Sequence, residues 1–92
     1  MIRSFRHKGL KAFYEHDDKS RLPAQYVKRI RLILTALDDA REAKDMRLPL
    51  FGLHSLKGSF KGFWSVIVSA NWRIIFRFEN GDVYDVHYLD YH

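Results

Sequence analysis

The stretch Trp72-Arg73-Ile74-Ile75-Phe76-Arg77-Phe78-Glu79-Asn80-Gly81-Asp82-Val83-Tyr84-Asp85-Val86-His87-Tyr88-Leu89 decides the fold. Its centre, Asn80-Gly81, is the pair that a two-residue type I′ hairpin turn asks for, because both residues tolerate positive φ. Over residues 72–78, Ile74, Phe76 and Phe78 alternate with Arg73, Ile75 and Arg77. From residue 82 to about 89, Tyr84, Val86 and Tyr88 alternate with Val83, Asp85, His87 and Leu89. A period of two among aromatic and β-branched residues predicts two antiparallel strands, with the first-named set of each facing a core.

Working back from the hairpin, residues 62–69 set Trp64, Val66 and Val68 against Phe63, Ser65 and Ile67, which predicts a third strand. Residues 50–56, just after Pro49, have room for a short fourth. Upstream of Pro49 the period becomes helical. Val27, Ile30, Ile33, Leu34 and Leu37 form one apolar stripe, while Lys28, Arg29 and Arg31 project elsewhere. Pro23 suits the first turn, where its missing N–H would have had no partner, and the helix is expected to run to about Ala43. A shorter helix is expected from residue 8 to about 16, where Leu10, Phe13 and Tyr14 share a face, with Asp17-Asp18-Lys19-Ser20 breaking it. Residues 2–5 read as a short strand. No repeat, low-complexity tract or linker interrupts the 92 residues. The expectation is a single α+β domain over residues 1–92: short N-terminal strand, two helices, then an antiparallel meander with the helices on one face. The other face, carrying Arg73 and Arg77, is left partly open.

A chain this short buries only about 60–65% of its unfolded surface, so the core has to be rich in large side chains. The composition supplies them: 47% of residues are hydrophobic, with seven Phe, five Tyr and two Trp. With no cysteine, neither disulfides nor thiolate–metal sites can supplement that core. Nothing resembles a signal-peptide h-region or an apolar run of membrane-spanning length, so a cytoplasmic protein without a membrane partner is expected. The net charge of +5 is unevenly placed. Residues 1–37 hold nine Lys/Arg against three acids, and residues 38–92 hold seven against eight. A basic first half suits a polyanionic partner, although ordinary solvated helix faces would look the same.

Familiar sites are absent: no glycine-rich phosphate loop, no His-Glu-x-x-His helix, no Cys/His ligand set, no Gly-x-Ser-x-Gly elbow. Neither a metal nor any other cofactor is expected. Two polar clusters border the predicted sheet, Leu53-His54-Ser55-Leu56-Lys57-Gly58 and Asp90-Tyr91-His92. Metal-free RNA cleavage needs a base for the 2′-hydroxyl, cations for the phosphorane and an acid for the leaving 5′-oxygen. Histidine can be base or acid. Lys57 and Arg73 can stabilise negative charge, Tyr91 can stack on a base, and Asp90 can orient an imidazole or accept a proton. Each also has a plain structural reading. His54 could be a solvated strand-edge histidine, Lys57 a turn lysine, Arg73 an ion-pair partner of Asp85, and His92 a frayed end. Trp64, Trp72, Tyr84 and Tyr88 read as core, and His7 and His16 as surface residues.

Taken with Phe63-Trp64-Ser65-Val66, Ala70-Asn71-Trp72-Arg73-Ile74 and the opening Ile2-Arg3-Ser4-Phe5-Arg6-His7-Lys8-Gly9-Leu10, these clusters closely resemble the HigB toxins of the RelE/ParE superfamily. The resemblance spans nearly the whole chain. It implies two N-terminal helices with a curved antiparallel sheet, and cleavage of ribosome-bound messenger RNA in the decoding site. A helix-turn-helix antitoxin of the HigA type would be the partner, with operator DNA bound only as part of that complex. It further implies a catalytic group of His54, Lys57, Asp90, Tyr91 and His92, with Asn71 and Arg73 contacting or positioning substrate. Proton transfer would then lie with His92 and Asp90, and Lys57 would act on the phosphate. Lys8, Lys11, Lys28, Arg29 and Arg31 could dock on ribosomal RNA. Two other readings stand beside this one: a ParE-like poison that binds DNA gyrase and cuts nothing, and a non-catalytic RNA-binding domain. The acid–base clusters argue against the first, since a pure binder has no use for them.

Overall fold

The computed structural model describes residues 1–91, so the candidate residue His92 lies outside the described residues. Helices α1 (Lys8–His16) and α2 (Val27–Asp39) precede a four-stranded antiparallel meander of β1 (His54–Ser55), β2 (Trp64–Ser69), β3 (Trp72–Glu79) and β4 (Asp82–Asp90). The β3–β4 turn uses Asn80 and Gly81 at φ 51° and 83°, as the dipeptide requires.

The helix stripe is buried as predicted: Ile30, Ile33 and Leu37 have no exposed surface and pack with Leu10, Phe13, Val66, Ile74 and Phe76. Truncating Phe76, the largest fully buried side chain, would cost about 3–5 kcal/mol. α2 stops at Asp39, short of Ala43, because Ala40 adopts an extended backbone and is itself buried. A separate 3₁₀ turn, Ala43–Met46, follows. The Glu42 and Asp45 side chains cap it reciprocally, and it delivers Met46 into the core. At the front of α2 a second 3₁₀ turn, Ala24–Tyr26, follows Pro23, which occupies the cap position rather than the first helical turn.

Two strand expectations change. The face of β4 switches partway along. Asp85 sits at φ 57°, and the β3–β4 register shifts between Ile75 and Arg77. This bulge puts one extra residue into β4 and inverts the alternation N-terminal to it. Val83 therefore joins Val86 and Tyr88 in the core, and Tyr84 turns to the other side under the Arg77 guanidinium, 5.0 Å from its ring centre. The same bulge explains why residues 2–5 do not form a continuous strand. Ile2 bridges Val83 and Phe5 bridges Val86 in parallel, but between them the Asp85 N–H is taken by the Ser4 hydroxyl at 2.8 Å.

Candidate functional site

The face of the sheet turned away from the helices is partly roofed. Leu56, Phe63 and Ile75 form a second small buried cluster there, with Phe60, Leu89 and Tyr91 packed against it. Residues 56–63 leave β1 and return to β2 through this cluster. The Leu56 N–H donates to the Phe63 carbonyl at 2.9 Å, which holds the ends of the segment together. Lys57 is carried on it, exposed, at the cap of a short 3₁₀ turn, Gly58–Phe60.

Beside the roof lies an open cleft of about 250 Å³ lined by Gly52, His54, Leu56, Ser65, Ile67, Arg73 and Tyr91. Contributors come from β1, β2 and β3 and from the residue that follows β4. His54 lies opposite Ser65 across β1–β2, Ile67 lies opposite Arg73 across β2–β3, and Tyr91 follows the end of β4. Tyr91 is fixed from two sides: its N–H donates to the Asn71 carbonyl at 2.8 Å, and its ring meets Phe60 edge-on at 6.2 Å. Asn71 thus sits at the β2–β3 turn, directly beside the chain at Tyr91. The Arg73 guanidinium donates to the Ala70 carbonyl at 2.6 Å and to the Trp72 carbonyl at 3.2 Å. It makes no pair with Asp85, which is held instead by Arg77 at 2.7 Å and Arg6 at 3.8 Å.

Of the sequence candidates, the cleft therefore gathers His54, Arg73 and Tyr91, with Asn71 adjoining. Lys57 lies on the rim segment. Asp90 is exposed, pairs across the sheet with Trp72, and by strand alternation belongs to the face of Tyr88 rather than that of Tyr91. His92 falls outside the described residues. Among the described residues no group of three His, Cys, Asp or Glu is placed to hold a metal ion.

Three other sequence readings change. His7 is no idle surface histidine: its Nδ1 accepts the Leu10 N–H at 3.1 Å and caps α1. Burial holds its pKa below the usual value, and the neighbouring His87 adds to the effect. Trp72, expected in the core, is 40% exposed, with its ring 4.9 Å from that of Tyr88. Arg29, expected to project outwards with Lys28 and Arg31, turns in to the backbone of the cleft wall. The spacing carries a signal for this, since Arg29 stands four and eight residues before the buried Ile33 and Leu37.

A family model described as the RelE-like toxin of the type II toxin–antitoxin system HigB matches residues 3–92. The chain is 50% identical to the Endoribonuclease HigB of Proteus vulgaris, with both chains covered in full. It is 34% identical to the Toxin HigB-1 of Vibrio cholerae serotype O1, covering all of this chain and 98% of that one. Among solved structures, the YoeB-YefM complex from Staphylococcus aureus contains a chain that superposes with a TM-score of 0.62. The match covers 100% and 98% of the two chains at 16% identity, which is a likeness of fold.

Proposed function

The chain belongs to the RelE-like HigB toxins of type II toxin–antitoxin systems, and from that membership we propose an endoribonuclease that cuts messenger RNA on the ribosome. The observation that carries the reading is the cleft on the sheet's open face, where an imidazole, a guanidinium and a phenol from distant parts of the chain converge. The 2′-hydroxyl attacks the adjacent phosphorus as a base removes its proton. The bond to O5′ breaks as an acid protonates it, leaving a 2′,3′-cyclic phosphate and a 5′-hydroxyl. His54 and His92 are the imidazoles available for these transfers. Asp90 orients an imidazole or accepts a proton from the end of the sheet. Arg73 and Lys57 stabilise the phosphorane, Tyr91 offers a face to a base, and Asn71 positions the substrate.

A small set of proton-transfer groups, each worth about 10²–10⁴-fold, makes a weak enzyme on free RNA. A ribosome that bends its message into an in-line geometry supplies the missing orientation, which explains the need for it. As a toxin of a type II system the protein has an antitoxin partner. We assign that partner to the helix-turn-helix HigA type, with operator DNA bound only through the complex, and place the toxin in the cytoplasm. No helix among the described residues is long and apolar enough to cross a membrane.

Purified ribosomes carrying a defined message provide the test. The expected products carry cyclic (or 3′-) phosphate and 5′-hydroxyl ends. Fragments with 5′-phosphate ends would overturn the transesterification scheme.

A further inference from the structure

The wall of the cleft depends on a residue of the opposite layer. In an antiparallel pair the N–H and C=O of one residue point to the same neighbouring strand. The Ile67 N–H donates to the Phe51 carbonyl at 2.8 Å, so the Ile67 carbonyl also looks towards the chain just before β1. β1 proper contains only His54 and Ser55, and the β2 ladder shifts register between Ile67 and Ser69. The Arg29 guanidinium occupies this gap. Its Nε and Nη2 donate to the Ile67 carbonyl at 2.9 and 2.6 Å, and Nη2 also donates to the Leu50 carbonyl. Its cationic carbon lies 5.7 Å from the Phe51 ring centre, and Phe51 is 2% exposed.

The clamped backbone is tight. Leu50 and Gly52 adopt φ of 69° and 59°, and a Cβ on Gly52 would meet the Ile67 Cδ1 at 2.6 Å. Gly52 and Ile67 line the cleft, and His54 stands two residues beyond Gly52. One planar, permanently charged fork from α2 thus ties the entry to β1 onto β2. Lysine cannot reproduce that fork, since it brings one nitrogen where arginine brings three.

We infer that Arg29 is a positioning residue for the ribonuclease site, holding the segment from Leu50 to Gly52 so that His54 is presented in the cleft. The inference rests on the endoribonuclease reading for its kinetic arm only. It also removes Arg29 from the cations available to dock on ribosomal RNA.

The test compares Arg29→Lys and Gly52→Ala with the wild type. Gly52→Ala disturbs the same segment and changes no charge. On the isolated toxin, the His54 imidazole NMR resonances are expected to move in both variants while those of His16 stay in place. On saturating programmed ribosomes, single-turnover cleavage is expected to fall about 10- to 100-fold in both, since a misplacement of about 1 Å has that effect. Ribosome affinity and its salt dependence are expected to hold at the wild-type values. Unmoved His54 resonances with an unchanged cleavage rate would overturn the inference. So would a loss in Arg29→Lys confined to ribosome affinity, which would make Arg29 an RNA-binding cation. A wild-type protein that cuts nothing on ribosomes would overturn the endoribonuclease reading, whereas the His54 resonances still decide whether Arg29 sets the segment.

Discussion

The imidazole rings of His7 and His87 stand 5.8 Å apart at the edge of β4, both partly buried. The Nδ1 of His7 is committed as an acceptor at the cap of α1. The buried Nδ1 of His87 has no hydrogen-bond partner among the described residues, so a proton placed on it would have no acceptor. Burial lowers both pKa values from 6.5; His87 lowers that of His7 further, and Arg6 that of His87. A histidine with a depressed folded pKa contributes fully above its unfolded value, and the contribution is lost as pH falls from there towards the folded value. Melting temperature is therefore expected to decline as pH drops below about 6.5. A second decline should come in the carboxylate range, where Asp82, Asp45 and Asp18 have pKa values lowered by their hydrogen bonds. His7→Asn, which retains a capping side chain without the titration, should make the first decline shallower, leaving the part that His87 contributes, and leave the second unchanged. A profile flat from pH 7.5 to 5.5 in the wild type would refute the pairing.

Asp85 separates backbone strain from charge. It holds a left-handed conformation at the bulge, and its carboxylate accepts a hydrogen bond from Arg77 and forms a looser ion pair with Arg6 at 3.8 Å. Asp85→Gly loses the ion pairs and keeps the backbone. Asp85→Val loses both, and should be less stable than the glycine variant by about 1–3 kcal/mol, the cost of holding a β-branched residue at positive φ. Urea midpoints measure the difference, and equal midpoints would show that the bulge relaxes without cost.

The hairpin, the buried stripe of α2 and the meander were legible because each is a local signal: a dipeptide at a turn, or a period of 3.6 or 2. The inversion of β4 at Asp85 was not, because an aspartate midway along an alternating run looks like any outward-facing residue. His7 as a cap escaped for a different reason: histidine is not among the preferred capping residues, and its role depends on the close approach of β4. In the site, the residue types were readable, but their convergence was not. His54, Arg73 and Tyr91 reach one cleft only through strand register, and Asp90 departs from Tyr91 through the same alternation. Arg29 shows how a cation in an otherwise basic helix passes for surface charge while it spans the layers.

Ribosome docking should depend on the cations that remain exposed. Lys8, Lys11 and Lys28 are exposed, and Arg31 pairs with the exposed Asp17 at 3.0 Å. Replacing the three lysines with Gln should weaken ribosome association and flatten its dependence on salt, since each lost phosphate contact removes about 0.7–0.9 from the log–log slope. Single-turnover cleavage at saturating ribosomes should be unchanged. An unaltered slope would place the docking surface on another face.

The imidazoles carry the last prediction. His54 is exposed on the two-residue strand β1, at the cleft and clear of the main core, so trimming it removes little buried surface. His54→Ala should therefore fold with the wild-type melting temperature and bind antitoxin normally, yet lose about 10²-fold or more in ribosome-dependent cleavage. His92→Ala should show the same pattern if it supplies the second proton transfer. The double variant should be no worse than the poorer single one, because groups that act as a unit in one transition state are not additive. His16→Ala is the control: the side chain is highly exposed, with Glu15 at 3.9 Å, and the variant should cut and arrest growth as the wild type does. Growth arrest, melting temperature and cleavage rate measured on one set of variants separate lost chemistry from lost folding. A His54→Ala protein that cuts ribosome-bound message at the native rate would remove the cleft histidine from the mechanism.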